Sequence, residues 1–324
     1  MRIVIVGPGA LGSLLAARLC LQSREEKRTG NDPNHVCLFD YKPDRAETLN
    51  KEGLNLEEDG QVFHCQSVVT ADPEVISRTD VLFFCVKATA VTNALSLITP
   101  YLPSSTLFLA MQNGIGHLDN VASVNCLGGV GITTEGATLA RPGHVRHGGK
   151  GITWIGMLSS DRQGAHQLLE KTAEALNAAG LSTLVTSEPL KYIWAKLFVN
   201  VGINALSALH RCPNGQLIES PSITHLMEKA VREAESVARV KGIPVEGDPV
   251  QETFKVCTMT KNNISSMYQD ILRRRPTEID AINGAVVAEG ERYGIATPVN
   301  IELVRQIKRL EASFETDDIS ENVS

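Results

Sequence analysis

Apolar residues change their spacing near residue 187, and that change divides the chain. Before it, short unbroken apolar runs alternate with turn residues and amphipathic stretches, which predicts βα units around a doubly wound parallel sheet, an α/β architecture. Residues 3–6 form a β-branched run, and 35–40, 81–86 and 106–111 read as further strands. Residues 14–21 and 88–98 read as helices, and 23–34 as a polar surface loop. Asp59-Gly60, between 54–56 and 62–63, marks a hairpin. Residues 130–134, 137–140, 144–147 and 152–155 suggest antiparallel strands, followed by a helix over 163–179 that Gly180 closes and a last strand at 184–185. From 190 onward every stretch has helical periodicity: 190–209, 222–241, 249–261, 276–292 and 298–312. Pro276 and Pro298 then sit in first helical turns. The expected organisation is a dinucleotide-binding domain over 1–187, a helical domain over 188–314 and a disordered acidic tail over 315–324.

Composition narrows the partners. A chain of 324 residues with 43% hydrophobic and 21% charged residues fits two globular domains. Its net charge of −6 argues against nucleic acid or an anionic membrane as the main partner. No apolar run reads as long enough for a membrane span, and the N-terminus lacks a signal-peptide layout. Seven scattered cysteines without a C-x-x-C pair suggest reduced thiols in the cytoplasm, with no metal and no disulfide.

The first strand runs directly into Gly7-Pro8-Gly9-Ala10-Leu11-Gly12, a G-x-G-x-x-G sequence that opens a helix. Gly7 would allow the tight turn, Gly9 the approach of a pyrophosphate, and Gly12 close packing of helix on strand. The helix N-terminus would then meet the phosphates. Farther on, Lys196, Asn200 and Asn204 recur every four residues on an otherwise apolar helix, so one face carries all three. A buried interhelical hydrogen-bond network would explain such a stripe; a site facing a cleft explains the lysine better. Asn263 and Ser266 lie in a hydroxyl- and amide-rich segment, and Glu278 follows Pro276, where a helix dipole alone would also favour it. Lys87 and Asn113 each follow a strand at its C-terminal end, where such sheets bind ligands. His144 and His147 read as surface or edge histidines without metal-ligating company.

With G-P-G-A-L-G at the start, V-K-A at 86–88, Q-N-G-I-G at 112–116, K-L-F-V-N-V-G-I-N from Lys196, S-S-M-Y-Q-D-I from 265 and P-T-E-I-D-A-I-N-G from 276, the chain resembles the ketopantoate reductase (2-dehydropantoate 2-reductase) family over nearly its whole length. The resemblance implies a Rossmann domain followed by an all-α C-terminal domain of the 6-phosphogluconate dehydrogenase type. It also implies NADPH-dependent reduction of 2-dehydropantoate to (R)-pantoate, on the way to pantothenate and coenzyme A. Carried over, Lys196 is the general acid and Glu278 the carboxylate that orients or pairs with it. Asn113, Asn200, Asn204, Asn263 and Ser266 position the substrate, and Lys87 lies near cofactor and substrate.

One position departs from the family's NADPH pattern. Where a basic residue often ends the second strand, this chain has Asp40, which suits the free ribose hydroxyls of NAD(H). Lys42 and Arg45 follow closely as candidates for the 2′-phosphate of NADP(H), so both cofactors stay open. A reductase of another branched 2-oxo acid and a non-catalytic dinucleotide sensor are the competing readings. The helices at 222–241 and 298–312 can pack internally or across a homodimer.

Overall fold

The computed structural model describes residues 1–159 and 164–321, with side chains to residue 314. The chain forms two compact units, one of residues 1–112 and 118–189, the other of 113–117 and 190 onward. The expected start of a helix at Gln163 lies outside the described residues, as do residues 322–324 and the side chains of the rest of the acidic tail.

The first unit begins β1 (Arg2–Val6), α1 (Ala10–Arg28), β2 (His35–Phe39), α2 (Pro43–Glu52), β3 (Leu54–Glu58), β4 (Gln61–Cys65) and β5 (Val68–Thr70). It continues with β6 (Val81–Phe84), α3 (Val91–Ile98), β7 (Leu107–Ala110), α4 (Leu118–Ala122), β8 (Leu127–Thr133), β9 (Gly136–Arg141), β10 (His144–Gly149), β11 (Thr153–Met157), α5 (Ala165–Ala178) and β12 (Thr183–Val185). Eight strands form one sheet in the order β12-β11-β8-β7-β6-β1-β2-β5. Its central strands are parallel and buried on both faces, which is why they read as continuous apolar runs. Fully burying a side chain such as Ile5, Phe83 or Leu109 contributes about 1.5–3 kcal/mol.

Two expectations are corrected here, and the expected hairpin forms but in a second sheet. The polar run at 23–34 is helical as far as Arg28, because Arg28 pairs with Glu25, Gln22 reaches Glu26, and no glycine or proline falls between Gly12 and Gly30. The hairpin of β3 and β4, turning through Asp59 (φ 48°) and Gly60 (φ 76°), does not extend the main sheet. It joins a second sheet, β4-β3-β10-β9, in which β3 and β10 run parallel. The strands after residue 127 are therefore divided between two sheets: β8 pairs parallel with β7 and antiparallel with β11, while β9 and β10 leave the main sheet.

The histidine reading also changes. His147 is only 6% exposed, with Nδ1 3.0 Å from Glu58 and Nε2 2.6 Å from Glu135. Arg18 on α1 pairs with the same Glu58, so α1 is tied to the small sheet through charge. Alternation placed this histidine on an inward-facing position of β10, which its polarity disguised.

The second unit contains α6 (Pro189–His210), α7 (Pro221–Val240), α8 (Pro249–Met259), α9 (Ser266–Leu272), α10 (Asn283–Tyr293) and α11 (Pro298–Glu321). By length and hydropathy α6 could cross a membrane, but 67% of that stretch is buried in the protein. A Cβ on Gly202 would lie 2.8 Å from Thr253 and 2.9 Å from Val231, so this glycine lets α7 and α8 close on α6. Asn283 and Asn300, both fully buried, are bonded to each other at 2.9 Å, to the Val201 and Ala230 carbonyls and to Glu233. That network fixes α10 and α11 against α6 and α7. The helix expected from Pro276 starts only at Asn283. Residues 277–282 form turns instead, with Thr277 accepting from the Ile279 N–H and Ile115 N–H taking the Ala281 carbonyl.

Candidate functional site

The glycine loop fits a dinucleotide on its own geometry. Gly7 adopts φ 103°, a conformation that disfavours side chains, and its N–H donates to the Phe39 carbonyl at the end of β2. A Cβ on Gly12 would fall 2.0 Å from the Gly7 carbonyl oxygen, so the helix can start here only without one. Gly9 is different: the nearest atom to an added Cβ is the Cys85 carbonyl oxygen, 3.9 Å away. Among the described residues no protein atom demands glycine there, so there is room for a phosphate to approach closely. Gly9 caps the 19-residue α1 without a side-chain cap, so the N–H groups of the first turn, on Ala10, Leu11 and Gly12, remain available to an anion.

Asp40 ends β2 fully buried. Its Oδ1 accepts from Arg45 Nη2 at 2.7 Å and from the Lys42 N–H at 3.1 Å, while Oδ2 meets Arg45 Nε. Hydrogen bonding to Asp40 raises the Arg45 pKa above its ordinary value. The carboxylate that looked free to face a ribose is thus already neutralised by a guanidinium on α2. Lys87 stands exposed just after β6 and opens a 3-10 turn, with Ala90 N–H on its carbonyl.

In the second unit three of the expected residues are hydrogen-bonded in line. Lys196 Nζ donates to Asn113 Oδ1 at 2.8 Å, and Asn113 Nδ2 donates to Glu278 Oε2 at 3.0 Å. Residues 113–117 reach this place because Gly114 adopts φ 79° and lies so close to Ala281 that a Cβ would sit 1.9 Å from its carbonyl oxygen. Lys196 is half-buried by surface, yet its amine is packed deeply enough that burial lowers its pKa to about 8, with the Glu278 charge pulling upward. Asn200 and the buried Asn204 continue the same face of α6. A cation near neutrality, an amide aligned by a carboxylate and two further amides suit a substrate with a carbonyl, a hydroxyl and a carboxylate.

Asn263 and Ser266 lie exposed beside the start of α9, and neither side chain is hydrogen-bonded among the described residues. They are available for substrate but are not joined to the Lys196 line. Their neighbour Ser265 is the structural member of the segment, capping α9 through the Tyr268 N–H and sharing a 2.6 Å bond with Ser207.

Gln112 stood in the Q-N-G-I-G motif without a role of its own. Its Nε2 donates to the Phe84 and Val86 carbonyls at 2.7 and 3.1 Å, fixing the end of β6, while its Oε1 is buried without a partner. Its sequence signals were that motif and its place beside Asn113 after β7.

Known proteins resemble this chain over nearly its whole length. The family described as Ketopantoate reductase PanE/ApbA matches residues 3–160, and its C-terminal counterpart matches 189–311. A 2-dehydropantoate 2-reductase of Vibrio cholerae is 35% identical across 97% of this chain and 99% of its own. One from Halobacterium salinarum is 33% identical across 92% and 95%. Among solved structures, a PanE/ApbA family ketopantoate reductase from Ralstonia eutropha superimposes with a TM-score of 0.86 at 26% identity, covering 97% of this chain and all of the other. D-mandelate dehydrogenase, solved with NADH and anilino(oxo)acetate, gives 0.84 at 27% identity, covering 97% and 99%.

Proposed function

The chain belongs to the ketopantoate reductase family and is a dinucleotide-dependent oxidoreductase, and on that premise we propose that it reduces 2-dehydropantoate to (R)-pantoate with Lys196 as the general acid. The line of Lys196, Asn113 and Glu278 carries this reading. Gly7, Gly9 and Gly12 would hold a reduced nicotinamide dinucleotide, whose chemistry would be donation of a hydride to the ketone carbon. Negative charge then develops on the ketone oxygen, and the Lys196 ammonium both stabilises it and delivers a proton to it. Burial makes that proton easier to release, and Glu278 keeps the amine from losing it too early. Asn113 receives one Lys196 N–H and donates to Glu278, so the amine points in a fixed direction with two N–H bonds left for substrate. Asn200, Asn204, Asn263 and Ser266 then bind the hydroxyl and carboxylate.

The Asp40–Arg45 pair supports NADPH as an accepted cofactor. A bare carboxylate would repel a 2′-phosphate, whereas this one is already spent on a guanidinium that can also face a phosphate. The seven free cysteines, six of them buried, support a cytoplasmic setting.

Replacement of Lys196 tests the assignment. Lys196→Ala should lower kcat roughly 10²–10⁴-fold with dinucleotide affinity unchanged; undiminished turnover overturns the general-acid role. The similarity to D-mandelate dehydrogenase favours a second reading, reduction of another branched or aryl 2-oxo acid. Comparing kcat/KM for 2-dehydropantoate and 2-oxo-2-phenylacetate separates the two.

A further inference from the structure

The polar stripe of α6 does not end at Asn204. Ser207, one turn on, continues the same face and is fully buried. Its Oγ lies 3.1 Å from the Asn204 carbonyl oxygen and 2.6 Å from the Ser265 Oγ. The Tyr268 N–H reaches that Ser265 oxygen at 3.1 Å. A carbonyl oxygen only accepts, and a hydroxyl has one proton to give. Ser207 gives its proton to Asn204, so Ser265 must give its own to Ser207. The relay therefore runs in one direction, from the Tyr268 N–H through Ser265 and Ser207 to the Asn204 carbonyl.

Both ends of this relay carry polar groups with nothing to bind. On α6, Asn204 is 6% exposed, and its side-chain amide is not hydrogen-bonded among the described residues. An amide so nearly buried and left unpaired is costly until a polar partner meets it. At the start of α9, Ser265 stands between Asn263 and Ser266, whose side chains are likewise without hydrogen bonds among the described residues. Two fully used hydroxyls thus link three unused polar side chains. Other bonds hold the same segment to the turn after α6: Tyr268 Oη donates to the Arg211 carbonyl at 3.0 Å, and the Asn214 N–H donates to the Asn263 carbonyl at 2.9 Å. Loss of the serine bond would let the start of α9 shift against α6 without detaching it.

We infer that Ser207 and Ser265 are positioning residues for the 2-oxo acid: their bond sets the separation between Asn204 on α6 and Asn263 and Ser266 at the start of α9. This role rests on the proposed reduction, in which those three side chains bind the substrate's hydroxyl and carboxylate. Neither serine needs to touch the substrate. Both preorganise groups that would otherwise have to be ordered when it binds, so their loss weakens the hold on substrate and transition state alike.

Steady-state kinetics on the full-length protein test this, with 2-dehydropantoate and, in parallel, 2-oxo-2-phenylacetate. Ser207→Ala should raise KM for the better of the two acids about tenfold. Ser265→Gly, which keeps a residue tolerated as a helix cap, should do the same. In both, kcat and KM for the dinucleotide should not change, a split that general loss of structure would not give. The double variant should be no worse than the costlier single one, because both remove the same bond. Unchanged KM in Ser207→Ala overturns the positioning role, as do fully additive effects in the double variant. If Ser207→Ala does not fold, Ser265→Gly decides. Lys196→Ala judges the reduction separately: full turnover there, with KM raised in Ser207→Ala, overturns the general acid and leaves the positioning role standing. No turnover of either acid by the unaltered protein overturns both.

Discussion

Lys196 owes its chemistry to the place α6 gives it. An ammonium on a largely buried helix loses solvation, which lowers its pKa to about 8, and the Glu278 charge opposes that fall. Reduction needs the protonated form, so kcat should be level below about pH 8 and fall above it, while oxidation of the hydroxy acid should rise through the same pH. Glu278→Gln removes the opposing charge, so the break should move to lower pH; a pH–rate profile for each protein reads this directly. In the first unit, Arg45 neutralises the buried Asp40. Arg45→Ala strips that neutralisation and leaves the buried carboxylate unpaired. It should therefore raise KM for NADPH about tenfold or more and change KM for NADH less, measured by steady-state kinetics with both cofactors.

Two glycines in one loop make different demands, and the difference is testable. Gly12 is required by the protein, since a Cβ would collide with the Gly7 carbonyl, so Gly12→Ala should destabilise the fold by about 1–3 kcal/mol and lower the urea midpoint. Gly9 has open space, so Gly9→Ala should keep its urea midpoint and lose dinucleotide affinity, measured by titration of protein fluorescence. The steric demand at Gly12 was legible in the sequence because spacing, strand and helix arrived together. The line of Lys196, Asn200 and Asn204 was legible for the same reason, a four-residue repeat. Glu278 was legible as a residue but not in its setting: Pro276 advertised a helix start, and the turns at 277–282 form because Ala281 supplies its carbonyl to Ile115, far away in sequence. The Asp40–Arg45 pair was hidden likewise, since no one-dimensional pattern says which charges α2 will turn back toward β2.

Residues 113–117 leave the chain of the first unit and belong to the second, where Ile115 is 8% exposed and His117 3%. A chain ended after Pro189 would strand that segment in water. It should be less stable than the same unit in the full protein, by roughly 1–3 kcal/mol for one apolar side chain and its neighbours, which comparison of proteolysis rates can measure. Pairing of β3 with β10 brings a different consequence. Glu57 and Arg146 in these partners are 89 residues apart. During synthesis the β3–β4 hairpin must therefore emerge with one edge unpaired and wait until β10 has been made. That interval makes the hairpin edge the place where a nascent chain is most open to pairing with a neighbour or being held by a chaperone.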